Sequence, residues 1–231
     1  MKRKTLLSWS SGKDSAWALH LLRQDPEIEL AGLFSVINRQ ADRVAMHAVR
    51  RDLLIRQAQR TGLPLSVIEI PYPCSDSDYR DKMAEFVSTS TDQQIECFAF
   101  GDLYLEEVRR YREDNLAGTC IKPLFPLWDL PTAKLSRRMV TSGLRAFITC
   151  VDPESLPADF AGRIYDDAFL KDLPAGVDPC GENGEFHSFV VAGPMFSKSL
   201  EVSPGEVVVR DGFVYADLLP SKNVVPAIKC A

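Results

Sequence analysis

The sequence predicts an α/β protein: a doubly wound, mostly parallel sheet followed by a smaller C-terminal α+β subdomain. Three observations carry this reading. Short apolar runs alternate with helix-spaced segments as far as about residue 151. A turn rich in serine and glycine follows the first of those runs. Near the end of the chain, period-two alternation is interrupted by Asp211-Gly212, the signature of a hairpin.

Taken in order, residues 5–9 read as a short buried strand and residues 14–23 as a helix that ends before Pro26. Residues 29–37 form a second strand-like run. Residues 46–60 have helical spacing, with Val49, Leu53 and residues 55–58 on one apolar side, and Gly62 and Pro64 supply the stop. A third strand is expected over 65–70, then a helix over 76–90 with Met83, Phe86 and Val87 inward. Residues 95–100 make a fourth strand, and a helix runs from beyond Gly101-Asp102 through Arg112. A helix over 131–141, with Gly143 as its C-cap, precedes a fifth strand at 145–151. The doubly wound domain is therefore expected over residues 1–151 and the smaller subdomain over 152–231, where 160–173 is helix-like and the hairpin follows. Neither an internal repeat nor a low-complexity linker interrupts the chain.

Composition narrows the function. The 231 residues are 45% apolar and 26% charged, as in ordinary soluble globular proteins. A net charge of −5 argues against broad nucleic-acid binding. The basic pairs Arg50-Arg51, Arg109-Arg110 and Arg137-Arg138 are separated, which suits solvated helix faces. The six cysteines, Cys74, Cys97, Cys120, Cys150, Cys180 and Cys230, form no C-x-x-C pair, and with three histidines they argue against structural zinc. Several lie in apolar runs, as buried free thiols do, which points to a reducing compartment. Lys2-Arg3-Lys4 is followed by only two apolar residues before Ser8, so no signal-peptide core or membrane span is expected and the cytoplasm is the expected location.

The turn after the first strand, "SWSSGKDS" at residues 8–15, has the makings of a phosphate loop. It lies at a strand end, where ligands of parallel sheets gather, and it leads into a helix N-terminus. Ser8, Ser10, Ser11 and Ser15 offer hydroxyls, Gly12 allows close approach or positive φ, and Lys13 offers a cation. It is not the common P-loop, because Leu7 occupies the place of the first glycine and Asp14 follows the lysine. An acidic residue repels phosphate unless a divalent metal intervenes, so Asp14 points to Mg²⁺–polyphosphate. A helix cap alone accounts for one or two of these residues, not for four serines, glycine and lysine together. Gly101-Asp102 ends the fourth strand; it either faces the same crevice or makes an ordinary turn, and the residues do not separate the two.

Residues 10–15 resemble the S-G-G-x-D-S loop of the adenine nucleotide alpha hydrolases, or N-type ATP pyrophosphatases, with Ser11 in place of the first glycine. "GENGEFHS" at 181–188 resembles the G-E-N-G-E-F-H-[ST] signature of the diphthine–ammonia ligase family. The stretches "RVAMHAVRRDLLIRQAQRTGLPL", "FGDLYLEEVRRYRED", "PLW" at 126–128 and "GPMF" at 193–196 are similar to that family in order and spacing. The resemblance implies a Rossmann-like, HUP-type ATP domain followed by a substrate domain. It also implies adenylation of a carboxylate by ATP, release of pyrophosphate and amidation by free ammonia. In archaea and eukaryotes the acceptor is diphthine on elongation factor 2; in bacterial members the carboxylate is unsettled.

On this reading Ser8, Ser10, Ser11, Gly12, Lys13, Asp14, Ser15, Gly101 and Asp102 bind the nucleotide, with Asp14 toward Mg²⁺. Lys13 stabilises the departing pyrophosphate, and Glu182, Glu185 and His187 serve ammonia and the acceptor. If the segment is extended, Glu185 and His187 share a face. From the residues alone, Gly181, Asn183 and Gly184 suit a tight turn with solvated acids, and the family resemblance is what makes the segment functional. His20 reads as a packing or surface residue and Trp128 as core; His47 resembles a family position near the adenine crevice but equally suits a helix start. Two rivals stay open: a tRNA-modifying ATP pyrophosphatase, and a nucleotide-binding sensor without turnover. Neither a membrane nor nucleic acid is an expected partner, and homo-oligomerisation is left open.

Overall fold

The computed structural model describes residues 1–44 and 49–221. His47, Cys230 and the start of the helix expected over 46–60 lie outside them. The elements of the first half are β1 (Arg3–Ser8), α1 (Lys13–Leu22), β2 (Ile28–Asn38), β3 (Arg43–Val44), α2 (Arg51–Thr61), β4 (Leu65–Ile70), α3 (Asp76–Asp92), β5 (Cys97–Ala99), α4 (Glu106–Leu116) and β6 (Lys122–Leu124). The rest of the chain supplies α5 (Thr132–Thr141), β7 (Arg145–Val151), β8 (Ile164–Tyr165), α6 (Asp167–Asp172), β9 (Phe186–Ala192), β10 (Val202–Arg210) and β11 (Phe213–Pro220).

The expected α/β class holds. β1 pairs in parallel with β2 on one side and β5 on the other; β4 extends the sheet beyond β2, and β6 extends it beyond β5. Only β3 runs antiparallel, against the end of β2. The parallel order β4-β2-β1-β5-β6 is Rossmann-like, and it reverses direction between β1 and β5. The crevice beyond the C-terminal ends of those two strands is thus the switch point at which such sheets bind ligands.

Alternation along the strands explains the layers. Leu6, Phe34 and Phe98 point to one face, where Val87 of α3 and Leu116 of α4 cover them. Leu7, Leu33, Ile37 and Ala99 point to the other, against Trp17 and Leu19 of α1 and Leu53, Leu54 and Ala58 of α2. The Phe34 ring lies 4.8 Å from Phe98 and 5.2 Å from Phe86, offset ring contacts that add to simple burial. The second face does not end with the first sheet. Its core continues through Ala146, Ile148, Phe186, Phe189 and Val214 of the second sheet, so the two units share one apolar interior.

Two expectations are corrected. Residues 145–151 form a strand with the expected bounds, but β7 is the antiparallel centre of the second sheet, pairing with β8, β9 and β11. The fifth parallel strand is β6, three residues long. The helix expected over 160–173 is confined to α6; Gly162 turns the chain at φ 84°, and β8 intervenes. The predicted hairpin is present as β10 and β11, with Asp211 at φ 52° and Gly212 at φ 85°, the two positive values of a type I′ turn.

The arginine pairs do more than decorate helices. Arg43 and Arg50 both bond Asp217 of β11, at 3.0 and 2.5 Å, and Arg109 covers the Phe125 and Trp128 rings at 5.0 and 4.7 Å. Trp128 is half-buried beneath that arginine, and His20 packs against Trp17 at 4.7 Å. Cys74, Cys97, Cys120, Cys150 and Cys180 are all free thiols. No helix among the described residues is long and apolar enough to cross a membrane.

Candidate active site

β1 ends at Ser8 and α1 begins at Lys13, so residues 9–12 form the turn at the switch point. Its unusual backbone lies at Ser11, which has φ 71°, the left-handed region in which glycine is comfortable and serine strained. Of the two uses open to Gly12, close approach or positive φ, the second is not taken: Gly12 is extended at φ −82°. The Ser11 side chain is fully buried and its Oγ has no hydrogen-bond partner among the described residues. Its carbonyl accepts from Gln57 Nε2 at 3.0 Å and from the Val190 amide at 3.1 Å. Gln57 also accepts from Trp9 Nε1 at 2.7 Å and donates to the Val190 carbonyl at 2.7 Å. One buried glutamine on α2 therefore fastens the turn to β9 of the second sheet.

The serines knit the turn internally: Ser10 Oγ accepts from the Gly12 amide and meets Ser15 Oγ at 3.1 Å, and Ser15 Oγ donates to the Gly12 carbonyl. None of them caps α1. The first helical amide, that of Lys13, donates to Ser188 Oγ at 3.2 Å. Ser8 marks the C-terminal end of β1.

Lys13 is 2% exposed, with its Nζ 2.8 Å from Asp14 Oδ2 and above the Phe186 and Tyr165 rings at 5.3 and 5.9 Å. Burial by itself favours the neutral amine. The charge of Asp14, helped by the fields of Cys180 and Glu182, outweighs burial and holds the ammonium above its ordinary pKa. The second oxygen of Asp14, Oδ1, is buried and has no hydrogen-bond partner among the described residues.

Gly101 packs against the start of α1. A Cβ there would stand 2.9 Å from the Ser15 nitrogen and 3.0 Å from the Asp14 carbonyl carbon, so the end of β5 lies directly on the first turn of α1. Asp102 follows, 3.4 Å from Arg112 Nε, and its charge is felt at Glu182.

The 178–188 segment folds onto this end of the sheet. Gly181 and Gly184 have φ 65° and 90°, so the expected tight turn forms, and a Cβ on Gly181 would meet the Phe186 carbonyl oxygen at 2.8 Å. Glu182 Oε1 accepts from the Leu103 amide at 2.7 Å and the Tyr104 amide at 3.4 Å. Burial pushes the Glu182 carboxyl up to about 7; the Leu103 amide and Lys13 oppose the shift, and Asp14 and Asp102 reinforce it. Glu185 is 5% exposed and its two oxygens take the Asp178 amide, the Asn183 amide and Asn183 Nδ2 at 2.9 to 3.0 Å. Asp178 Oδ2 in turn accepts from the Glu182 amide, and the Tyr104 hydroxyl donates to Asn183 Oδ1. His187 is half-buried in β9; burial, then the Lys13 charge, lowers its pKa to about 4, so its imidazole is neutral.

The switch point thus brings together Lys13, Asp14, Gly101, Asp102, Glu182 and His187 from three distant stretches, with Glu185 inside the turn that carries Glu182. Sequence reasoning missed Gln57, Asp178, Tyr104 and the role of Ser188. Gln57 did leave a signal, because it falls on the buried stripe Leu53, Leu54, Gln57, Ala58 and Thr61, where a polar side chain needs internal partners.

Comparison with known proteins gives concordant matches. A family model described as the diphthamide synthase N-terminal domain matches residues 2–119, and one described as the diphthamide synthase C-terminal domain matches 131–218. The human diphthine–ammonia ligase is 26% identical over 186 residues, covering 78% of this chain and 67% of the human protein. The rat diphthine–ammonia ligase is 25% identical over 231 residues, covering 90% of this chain and 85% of its own length. The diphthine–ammonia ligase of Schizosaccharomyces pombe is 26% identical over 218 residues, 86% of this chain but only 36% of the yeast protein.

Proposed function

The chain belongs to the diphthamide synthase family, and from that premise we propose an ATP-dependent ligase that adenylates a carboxylate, releases pyrophosphate and transfers ammonia to the activated acyl group. The observation that carries the reading is the bond from the Leu103 amide to Glu182 Oε1, which holds the Glu182 turn against the strand end next to Lys13 and Asp14.

A carboxylate resists ammonia because it is anionic and lacks a leaving group; attack of its oxygen on the α-phosphorus makes an acyl-adenylate and expels pyrophosphate. Lys13, charged despite burial, neutralises the leaving phosphates, assisted by the positive end of α1. Glu182, with a midpoint of about 7, takes the proton that ammonium must lose, and the amine nitrogen then attacks the acyl carbon as AMP departs. Neutral His187 offers a donor or acceptor without adding positive charge near Lys13. Glu185 fixes the Glu182 turn through its three amide donors.

The donor set fits Mg²⁺ held chiefly by phosphates. Asp14 Oδ1 is a buried carboxylate oxygen without a partner, and no group of three metal-ligating side chains occurs among the described residues. Bound there, the ion would screen the polyphosphate charge from Asp14.

As to the acceptor, the relatives' name supports diphthine; our reading takes it as diphthine on elongation factor 2 where the source cell makes it, and as another carboxylate elsewhere. The test combines ATP, Mg²⁺ and ¹⁵N-ammonium with diphthine-bearing elongation factor 2, and measures pyrophosphate and ¹⁵N in the acceptor. Pyrophosphate release matched by ¹⁵N incorporation supports the full reading. Tight ATP binding without release, across a panel of carboxylates, favours a nucleotide sensor. We also place the boundary between the two units in the stretch between β6 and β7, since β7 pairs entirely within the second sheet.

A further inference from the structure

We propose that the outer edge of β10 pairs antiparallel, about a two-fold axis through Val208, with the same edge of a second copy of this chain. Among the described residues β10 is the terminal strand of the second sheet and is bonded to β11 alone. Its central residues Val207, Val208 and Val209 are 58%, 44% and 76% exposed. With Phe213 and Leu219 they make up half of the large apolar residues exposed among those described.

The exposure is not an ordinary solvent face. On β11, Ala216 and Val214 stand opposite Val207 and Val209, and both are buried, at 6% and 4%. The core-facing row of the sheet therefore continues onto β10 with Val207 and Val209 left exposed among the described residues, while Val208 exposes apolar surface on the opposite face. A strand that is apolar on both faces and has a free backbone edge is a template for strand addition.

The order of charges identifies the occupant. Glu206 precedes the three valines and Arg210 follows them, and both are exposed. In an antiparallel pair centred on Val208, Glu206 of each copy faces Arg210 of the other, and Val207 faces Val209. Both ends of the seam then carry opposite charges across the strands. In-register parallel pairing would set Glu206 on Glu206 and Arg210 on Arg210, and so is disfavoured. The two-fold arrangement uses the same patch on both copies, closing a dimer instead of a fibre. Within one chain Arg210 lies over the Tyr215 ring at 4.8 Å, and its ion pair with Asp211, at 3.7 Å, is exposed on both sides and screened by solvent. The irregularity between Pro204 and Val207, with a proline that lacks an amide hydrogen, confines the seam to residues 206–210.

The test is sedimentation velocity of the full chain over a concentration series. The wild type is expected to show a reversible monomer–dimer equilibrium. Glu206→Arg and Arg210→Glu each turn two attractive cross-strand pairs into repulsive ones, and each should raise the dimer Kd by about tenfold. Mixing the two single variants should restore the dimer as a heterodimer, and the double swap E206R/R210E should restore it in one chain. Val209→Lys, an exposed change, should also weaken the dimer, with circular dichroism confirming the fold of every variant. A wild type that stays monomeric throughout overturns the proposal. So does a dimer indifferent to the single swaps, or one that mixing fails to restore.

Discussion

Ser11 holds a φ that L-residues avoid, and it does so with a buried hydroxyl that bonds nothing among the described residues. The sequence showed a serine in place of glycine; only the backbone shows that the position needs positive φ. Replacing it with glycine removes the strain and the orphan hydroxyl while leaving the carbonyl free to bond Gln57 and Val190. Ser11→Gly should stabilise the fold by about 1 kcal/mol, a rise of about 2–4 °C in Tm by calorimetry for a chain of this size. No change, or a fall, would mean that the loop relaxes around serine. Lys13 tests the chemistry at the same scale. Lys13→Met keeps the aliphatic stem against Phe186 and Tyr165 but removes the charge. Pyrophosphate formation should drop by about 10²–10³-fold in kcat, the size of loss seen when one transition-state donor is removed. Because the Lys13 charge holds the Glu182 midpoint down, that midpoint should also move above about 7 in the variant.

At the scale of elements, several strands were legible from their apolar runs, though β9, whose FHSFVVA follows the glycine turn, was not among them. Residues 65–70 and 145–151 match β4 and β7 residue for residue. The sheet to which β7 belongs was not legible. Its sequence AFITCV is buried on both faces, and such a strand reads the same in a parallel sheet as in an antiparallel one. β6 escaped notice because three residues, Lys122-Pro123-Leu124, are too few for a period, and their place is set by pairing with β5. The helix expected over 160–173 failed at Gly162, whose positive φ breaks the run. Gly101 shows how elements build the site, since β5 can abut α1 only where no side chain intervenes. In Gly101→Ala the new Cβ meets backbone, which cannot rotate away, so the strand end and α1 must separate. The expected cost is about 1–3 kcal/mol in unfolding by urea, with ATP affinity falling as the crevice widens. Retention of wild-type affinity would show that ATP does not bind between these elements.

Over the whole molecule, the candidate site belongs to neither unit alone: the turn after β1 is pinned by β9, and Glu182 by the amides after β5. This explains why most of its residues could be named from local motifs while their meeting could not, and why Gln57, which fastens the units, stayed hidden in an ordinary helix. The meeting has a signature in pH. Glu182 has its midpoint raised from 4.5 to about 7 by burial, so the folded chain holds a proton that the unfolded chain releases. Its contribution to stability is fully present below pH 4.5 and is lost as pH rises through about 7. His187 is the converse, lowered from 6.5 to about 4, so its contribution is present above pH 6.5 and is lost as pH falls through about 4. Between 4.5 and 6.5 the two slopes oppose each other in the wild type. Glu182→Gln should leave the histidine slope alone, with stability rising with pH across that window, whereas His187→Gln should leave the carboxyl slope, falling toward pH 7. Urea midpoints measured across the range read both. Activity adds an independent reading, because only ionised Glu182 can accept a proton from ammonium. At fixed total ammonium the amidation rate should show a midpoint of about 7 on top of the rise that free ammonia itself brings with pH, and Glu182→Gln should be slower by about 10²–10⁴-fold and keep only that rise. Persistence of the same midpoint in Glu182→Gln would assign the proton transfer to another group and leave Glu182 the task of holding the 178–188 turn against the strand end.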